Sequence, residues 1–281
     1  MNNLLRPYRP KSLTISMTEQ EVHDLVQKTP DYHIGDLIGR RPPFHTKFAG
    51  TEFVLKFDNG GPVIHYHFIS EHRLVWNDGK EDHEEYYEAL QIDKDIFLLA
   101  HLRKDTRPQE SVTIALDFGM NLATCILSKM GNEYSAREIS QFIWFGVIDH
   151  DNLPTPLVWR HHFTREFAGR SMGWSYRDDM ASQHIYGTSH SLAWVILTGP
   201  GAGLLGSAPA QYMKINDHIY MLTWVETNSS GQQGVVLMNL NTMHDVGTFY
   251  GINHNQQFEF YTYGARGYNL GQFDVKDLFV W

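Results

Sequence analysis

The stretch YMKINDHIYMLTWVE, Tyr212 to Glu226, ends in a carboxylate two residues after a tryptophan in a largely apolar run. A glutamate there has two readings. Inside an aromatic-walled cavity it loses water, its pKa rises, and it becomes able to give or take a proton near neutral pH. At a strand end beside the polar turn TNSSGQQG it is simply solvated. Tyr176, His184 and Tyr212 are candidates to orient the polar end of a bound molecule, and Trp174 and Trp224 are candidates for its walls. Tyr186 is a further candidate.

Other combinations invite chemistry less strongly. HYHFISEH puts His65 and His67 on one face of a strand, with Glu71 four residues beyond. Two imidazoles and a carboxylate form a metal-ligand pattern of cupin type, but no companion motif follows. No metal and no cofactor are expected. RHHFTR (Arg160 to Arg165) and the arginines at 40–41 could meet an anion, yet such runs are usually solvated connectors. GPGAG at 199–203 lacks the Gly-Lys-Ser/Thr ending of a phosphate loop, and SHS at 189–191 lacks a nucleophile signature. Cys125 is the single cysteine. It can form no intramolecular disulfide, which fits a reducing compartment.

The elements that must position these residues are strands. Apolar residues make up 42%, aromatics 13% and charged residues 20% of the 281 positions, a globular composition that favours β structure. A formal net charge of −9 argues against a nucleic-acid partner, whose phosphates call for Lys and Arg. The N-terminus shows no apolar leader, and no stretch approaches the roughly 20 apolar residues of a membrane helix. A cytoplasmic protein without nucleic-acid or membrane partners is therefore expected, with a small-molecule ligand and a homodimer as a candidate assembly. One helix is predicted near the N-terminus, where TEQEVHDLVQ opens with a capping box of Thr18 and Glu21.

The chain repeats itself. FHTKFAGTEFVLKFDNG (from Phe44) aligns with FTREFAGRSMGWSYRDD (from Phe163), pairing Gly50 with Gly169, Leu55 with Trp174, Phe57 with Tyr176 and His65 with His184. LQIDKDIFLLAHLR then matches KINDHIYMLTWVE, which sets Arg103 against Glu226 and His101 against Trp224. NLATCILSKMG matches NTMHDVGTFYG. Three matches in order indicate a duplicated domain. On the core strands both faces are largely apolar: Ile96, Leu98, Ala100 and Leu102 oppose Phe97, Leu99, His101 and Arg103. One face must meet its own core and the other a second layer or a cavity. Antiparallel strands avoid raw edges by closing. The expected architecture is mainly β: two tandem antiparallel barrels of calycin or lipocalin type. The predicted boundaries are an extension over 1–43, a first barrel over 44–131, a connector over 132–162 that includes SAREISQFIWF as a short helix or linker, and a second barrel with tail over 163–281.

These residues resemble a known family. The aromatic pair two apart, the turn, the strand, YMKINDHIYMLTWVE and a strand ending in glycine are similar to the barrel of the phenolic acid decarboxylases. Over nearly the whole chain they resemble the two-domain MoaF family, whose name comes from molybdenum cofactor biosynthesis. The decarboxylase resemblance implies that Trp174 and Tyr176 stand for a pair that holds a substrate carboxylate, and Glu226 for a proton donor. That family's arginine would fall in GPGAGLLGSAP, where this chain has none, and Trp174 replaces a tyrosine. The expectation is a cofactor-independent lyase, decarboxylase, isomerase or cyclase that acts on an aromatic or conjugated molecule. Glu226, Tyr176 and His184 would be catalytic. Trp174, Tyr186, Tyr212, Trp224, His65 and Arg103 would bind the substrate. A non-catalytic carrier in a small-molecule or molybdenum-cofactor pathway is the alternative, and a cupin-like metalloenzyme a weaker one.

Overall fold

The computed structural model describes residues 17–275 except 106, 108, 132–134, 150–158, 228–230 and 254. The NLPTP stretch, part of the TNSSGQQG turn and most of the N-terminal extension ahead of the helix lie outside the described residues.

Helix α1 (Glu19–Lys28) begins at the predicted capping box: the Thr18 hydroxyl accepts from the Glu21 amide, and the Glu21 carboxylate accepts from the Thr18 amide at 2.8 Å. Eight strands follow, β1 (Glu52–Phe57), β2 (Val63–Phe68), β3 (Arg73–Asn77), β4 (Asp82–Asp93), β5 (Ile96–Leu102), β6 (Glu110–Asp117), β7 (Leu122–Met130) and β8 (Ile139–Asp149). Each pairs antiparallel with the next, and β8 returns to β1 to close a barrel. A short β9 (His162–Phe163) leads to the second set: β10 (Arg170–Arg177), β11 (Met180–Thr188), β12 (Ser191–Thr198), β13 (Leu205–Lys214), β14 (Ile219–Val225), β15 (Gln232–Asn239), β16 (His244–Ile252) and β17 (Phe258–Gln272). Here β17 pairs with both β16 and β10, and β12 pairs with β13, so eight strands close again. β9 adds to the far half of β13.

The connector expected over 132–162 needs correction. Residues 139–149 are neither helix nor linker: they are β8, and barrel one cannot close without them. ISQFIWFGVID is apolar on alternate positions only in part, which hides its period. Its outer side is also partly covered, by barrel two.

The duplication is exact in one structural detail. The FAG of each copy forms a turn whose phenylalanine plugs one end of its barrel. Phe48 packs on Phe53, Phe68 and Phe97, and Phe167 packs on Tyr186 and Tyr220. The glycine that follows has φ +80° at Gly50 and +87° at Gly169, a conformation that L side chains rarely adopt. Each donates at 2.7 Å to the equivalent strand, to the carbonyl of Phe68 and of Tyr186.

Three apolar clusters explain the two-faced strands. Each barrel has its own interior, and a third cluster joins the outer faces of the two. Leu98, Ala100, Ala115 and Ile126 of barrel one meet Met221, Val235, Leu237 and Val246 of barrel two, and Val22 and Val26 of α1 insert between them. Polar contacts cross the same seam. The Gln141 amide donates to Thr223 at 2.7 Å, Thr113 and Thr248 share a hydrogen bond at 3.1 Å, and the buried Glu88 carboxylate accepts from the Thr262 amide.

Candidate functional site

In barrel two the inward positions of β14 are Tyr220, Leu222 and Trp224, and Glu226 follows in phase. Phe167 closes the Tyr220 end. The Trp224 end opens into a cavity of about 710 Å³. Its lower wall includes Tyr176, Ser182, His184, Trp224, Glu226 and Phe249. Its upper wall comes from residues 28–37, the chain leaving α1, which cross the barrel mouth. That segment is tethered at its start: Lys104 Nζ donates to the Thr29 carbonyl at 2.7 Å and to Asp31 at 3.0 Å, and Arg73 pairs with Asp31 at 3.0 Å.

Glu226 is 8% exposed, so the cavity reading of this residue applies and not the solvated one. Its Oε1 accepts from the Trp224 indole N–H at 2.7 Å. The indole lies flat against β15 because residue 234, its cross-strand partner, is glycine. A Cβ there would stand 2.2 Å from the indole ring carbons.

Opposite, three side chains form a hydrogen-bonded chain. Tyr176 Oη lies 3.3 Å from Ser182 Oγ, which lies 3.0 Å from His184 Nε2. Burial holds the His184 pKa down at about 4, so its ring is neutral at pH 7. Nδ1 of His184 makes no hydrogen bond among the described residues, which leaves it for a ligand. Burial pushes the Tyr176 phenol up, with the nearby Asp245 and Glu226 carboxyls adding to the shift, so Tyr176 keeps its proton. A serine hydroxyl between a phenol and a neutral imidazole can pass a proton in either direction, since each link is both donor and acceptor.

The other predicted residues fall elsewhere. Trp174, Tyr186 and Tyr212 are not cavity walls. They pack beneath it, where the Trp174 indole donates to Tyr186 Oη at 2.8 Å and Tyr212 donates to the Ser191 carbonyl at 2.7 Å. Arg103 occupies the Glu226 position of barrel one, but it is a buried strut. It pairs with Glu110 at 3.2 Å and its guanidinium lies 4.3 Å above the Trp76 ring. His65 is exposed on the outside of barrel one. Met172 pairs with His184, whereas the equivalent Phe53 pairs with Tyr66. The offset between copies is thus 118 on this strand and not 119, and a one-residue slip turns a side chain to the opposite face. His184 matches Tyr66, and the supposed histidine pair is not one. His65, His67 and Glu71 do not converge: among the described residues no group of three His, Cys, Asp or Glu is placed to hold a metal.

Two residues escaped the sequence reading. Ser182 links Tyr176 to His184, and nothing in MASQHIY distinguishes it from any strand serine. Asp245, on β16, is fully inside barrel two, and burial raises its pKa to about 7. An aspartate in an otherwise apolar strand, HDVGTFYGI, was the available signal.

Two closed eight-stranded antiparallel barrels in tandem, the second with a cavity of about 710 Å³ at its mouth, define a duplicated lipocalin-like protein. Family models agree with this and go further. The MoaF N-terminal domain matches residues 39–132 and the MoaF C-terminal domain residues 161–273, and the chain belongs to the MoaF family. No curated protein matches the chain. A solved structure from Burkholderia vietnamiensis, described as a "putative beta-lactamase", is similar at 16% identity over 37% of this chain and 96% of its own, with a TM-score of 0.32. No helix among the described residues is long and apolar enough to cross a membrane.

Proposed function

We propose that the mouth of barrel two binds a small aromatic or conjugated molecule and moves a proton on it without a redox cofactor. Glu226 gives or takes the proton at carbon. The chain Tyr176, Ser182, His184 supplies a hydrogen bond, and a compensating proton, to an oxygen or nitrogen conjugated with that carbon. Electrons stay within the substrate, so the net reaction is an isomerisation, a cyclisation or a lyase cleavage. The observation that carries this reading is the convergence of one carboxylate and one proton-passing chain on a single cavity of about 710 Å³, a size that suits a small ligand.

The test needs no knowledge of the net reaction. Conjugated carbonyl and arylalkene ligands that quench tryptophan fluorescence are incubated with the protein in D2O, and deuterium entry at carbon is followed by proton NMR. Glu226→Gln should keep ligand affinity within about threefold and lower exchange by about a hundredfold or more, the scale of a lost general base. Binding without exchange in the unaltered protein would replace this reading with that of a carrier.

A further inference from the structure

The charges around the cavity say what kind of molecule it takes. Three carboxylates line it, Asp36, Glu226 and Glu259, against one lysine, Lys28, and two histidines, His33 and His184. Among the described residues neither Asp36 nor Glu259 pairs with Lys, Arg or His. Glu259 is held by neutral amides instead, Asn253 at 2.8 Å and Gln232 at 3.1 Å. Of the nearby arginines, Arg40 pairs with Asp178, Arg177 with Asp179, and Arg41 with Thr262 and the Phe44 ring, while the buried Arg137 is taken up at the rim by the Gln256 side chain and the Ile252 and Asn253 carbonyls.

The deep wall adds no positive charge. His184, 8% exposed, is neutral, with Nδ1 available as a donor or an acceptor. Five rings, those of Trp194, Trp224, Phe249, Tyr176 and Tyr261, supply much of the remaining wall, with aliphatic side chains and the amides of residues 255–257 between them. Ring faces carry negative potential and attract cations, most strongly where water is excluded. An anionic ligand would meet the Asp36 and Glu259 carboxylates, and like-charge juxtaposition in a site is costly.

We infer that the ligand of barrel two is an organic cation: a conjugated body bearing a protonated amine or quaternary ammonium group, seated between the aromatic faces and the carboxylates Glu259 and Asp36. The inference rests on the reading of this cavity as the substrate site and narrows its substrate class. It places the ammonium towards the mouth, where Glu259 and Asp36 lie, and the conjugated carbon deeper, beside Glu226 and His184. A substrate carboxylate, which the decarboxylase resemblance would require, has no place in this arrangement.

The experiment uses three probes of similar shape with the full chain: benzyltrimethylammonium, its neutral isostere neopentylbenzene, and phenylacetate. Binding is followed by tryptophan fluorescence and calorimetry. The expected result is that the ammonium binds at least tenfold tighter than the isostere, that its affinity falls with added salt, and that phenylacetate binds most weakly. Glu259→Gln and Asp36→Asn should each weaken the ammonium severalfold and leave the isostere unchanged. Asp36 is exposed, so its variant keeps the fold and remains informative if Glu259→Gln does not. Equal or tighter binding of isostere or phenylacetate would overturn the inference and leave the proposed function standing. No binding of any probe at millimolar concentration would overturn both.

Discussion

Gly234 holds the site together through what it lacks, and Gly234→Ala is the most direct probe of that. The new Cβ would lie 2.2 Å from the Trp224 ring carbons, where contact between carbons requires about 3.5 Å or more. The indole must therefore swing by more than about 1 Å. Overpacking of this kind costs about 1–3 kcal/mol. The swing also breaks the 2.7 Å bond from the indole N–H to Glu226, worth about 1 kcal/mol where water at the mouth can partly replace it. Against this, replacing a strand glycine gains about 0.5 kcal/mol. The net loss is about 2–3 kcal/mol, a melting temperature lower by about 4–10 °C for a chain of this size. Urea denaturation and thermal melting measure it. Ligand affinity should fall as well, since the displaced ring enters the cavity. A double-mutant cycle isolates the cause. In a Trp224→Phe background the shorter ring leaves room for the Cβ, and Gly234→Ala should then cost less than about 0.5 kcal/mol. If Gly234→Ala costs the same in both backgrounds, the clash is not the origin of the loss and this account of the wall is wrong.

Three further outcomes are expected. Ser182→Ala should cut solvent-deuterium exchange by about ten- to a hundredfold and lower stability by about 1–3 kcal/mol, because it interrupts the chain and leaves the buried Tyr176 phenol and His184 ring without their shared partner; exchange unchanged would show that the chain carries no proton. Asp245 has a folded pKa of about 7, above its unfolded value of about 3.9. The folded state thus holds this proton longer, and its penalty is absent below about pH 4, grows between pH 4 and 7, and levels off above. Asp245→Asn should therefore gain stability relative to the unaltered protein as pH rises through that window, by roughly 4 kcal/mol at the plateau, read from urea midpoints at several pH values; a pH-independent difference would refute it. Arg103→Ala should destabilise by about 1–3 kcal/mol, since it removes the buried partner of Glu110 and leaves it only the more exposed Arg107 at 3.7 Å. Ligand binding in barrel two should be unaffected, as measured by fluorescence titration, which separates Arg103 as a strut from Arg103 as a binding residue.

Much of the architecture was legible because duplication writes it twice. The repeat that pairs Gly50 with Gly169, the apolar strands and the Thr18 to Glu21 capping box can each be read locally, and all three are present in the fold. Glu226 was legible for the same reason: its phase with Tyr220, Leu222 and Trp224 could only point inward if that face was the barrel interior. What the sequence hid depends on pairing. The first β-turn of copy one, DNGGP, is longer than its counterpart in copy two, so the register slips by one on the next strand and His65 leaves the interior. β8 was hidden because its outer face is covered in part by barrel two, which blurs its alternation. Ser182 and Asp245 matter only through neighbours that lie far away in sequence.

Cross-strand pairs explain why one copy is packed solid and the other keeps a cavity. Three inward pairs occupy the same places in each barrel. In barrel one they are His101 with Val112, Cys125 with Trp144, and Ala123 with Gly146; in barrel two they are Trp224 with Gly234, Gly247 with Tyr263, and Asp245 with Ala265. The first two pairs keep one larger and one smaller partner in both barrels, which preserves the backbone spacing there. The smaller partner of the first two pairs sits on the same strand in both barrels, but only in barrel two is it glycine. In barrel two the glycines fall on β15 and β16, and the large rings of Trp224 and Tyr263 lie over them, against the wall. In barrel one β6 and β7 carry Val112 and Cys125, and the centre is filled by the phenylalanines around Phe48 and by Tyr66 bonded at 3.0 Å to His101. Glu226 and Arg103 then follow from the same difference. At the rim of the solid barrel a charge can only be a strut, and Arg103 is paired with Glu110. At the rim of the open barrel the equivalent position faces a cavity, and a carboxylate there is placed to meet whatever enters.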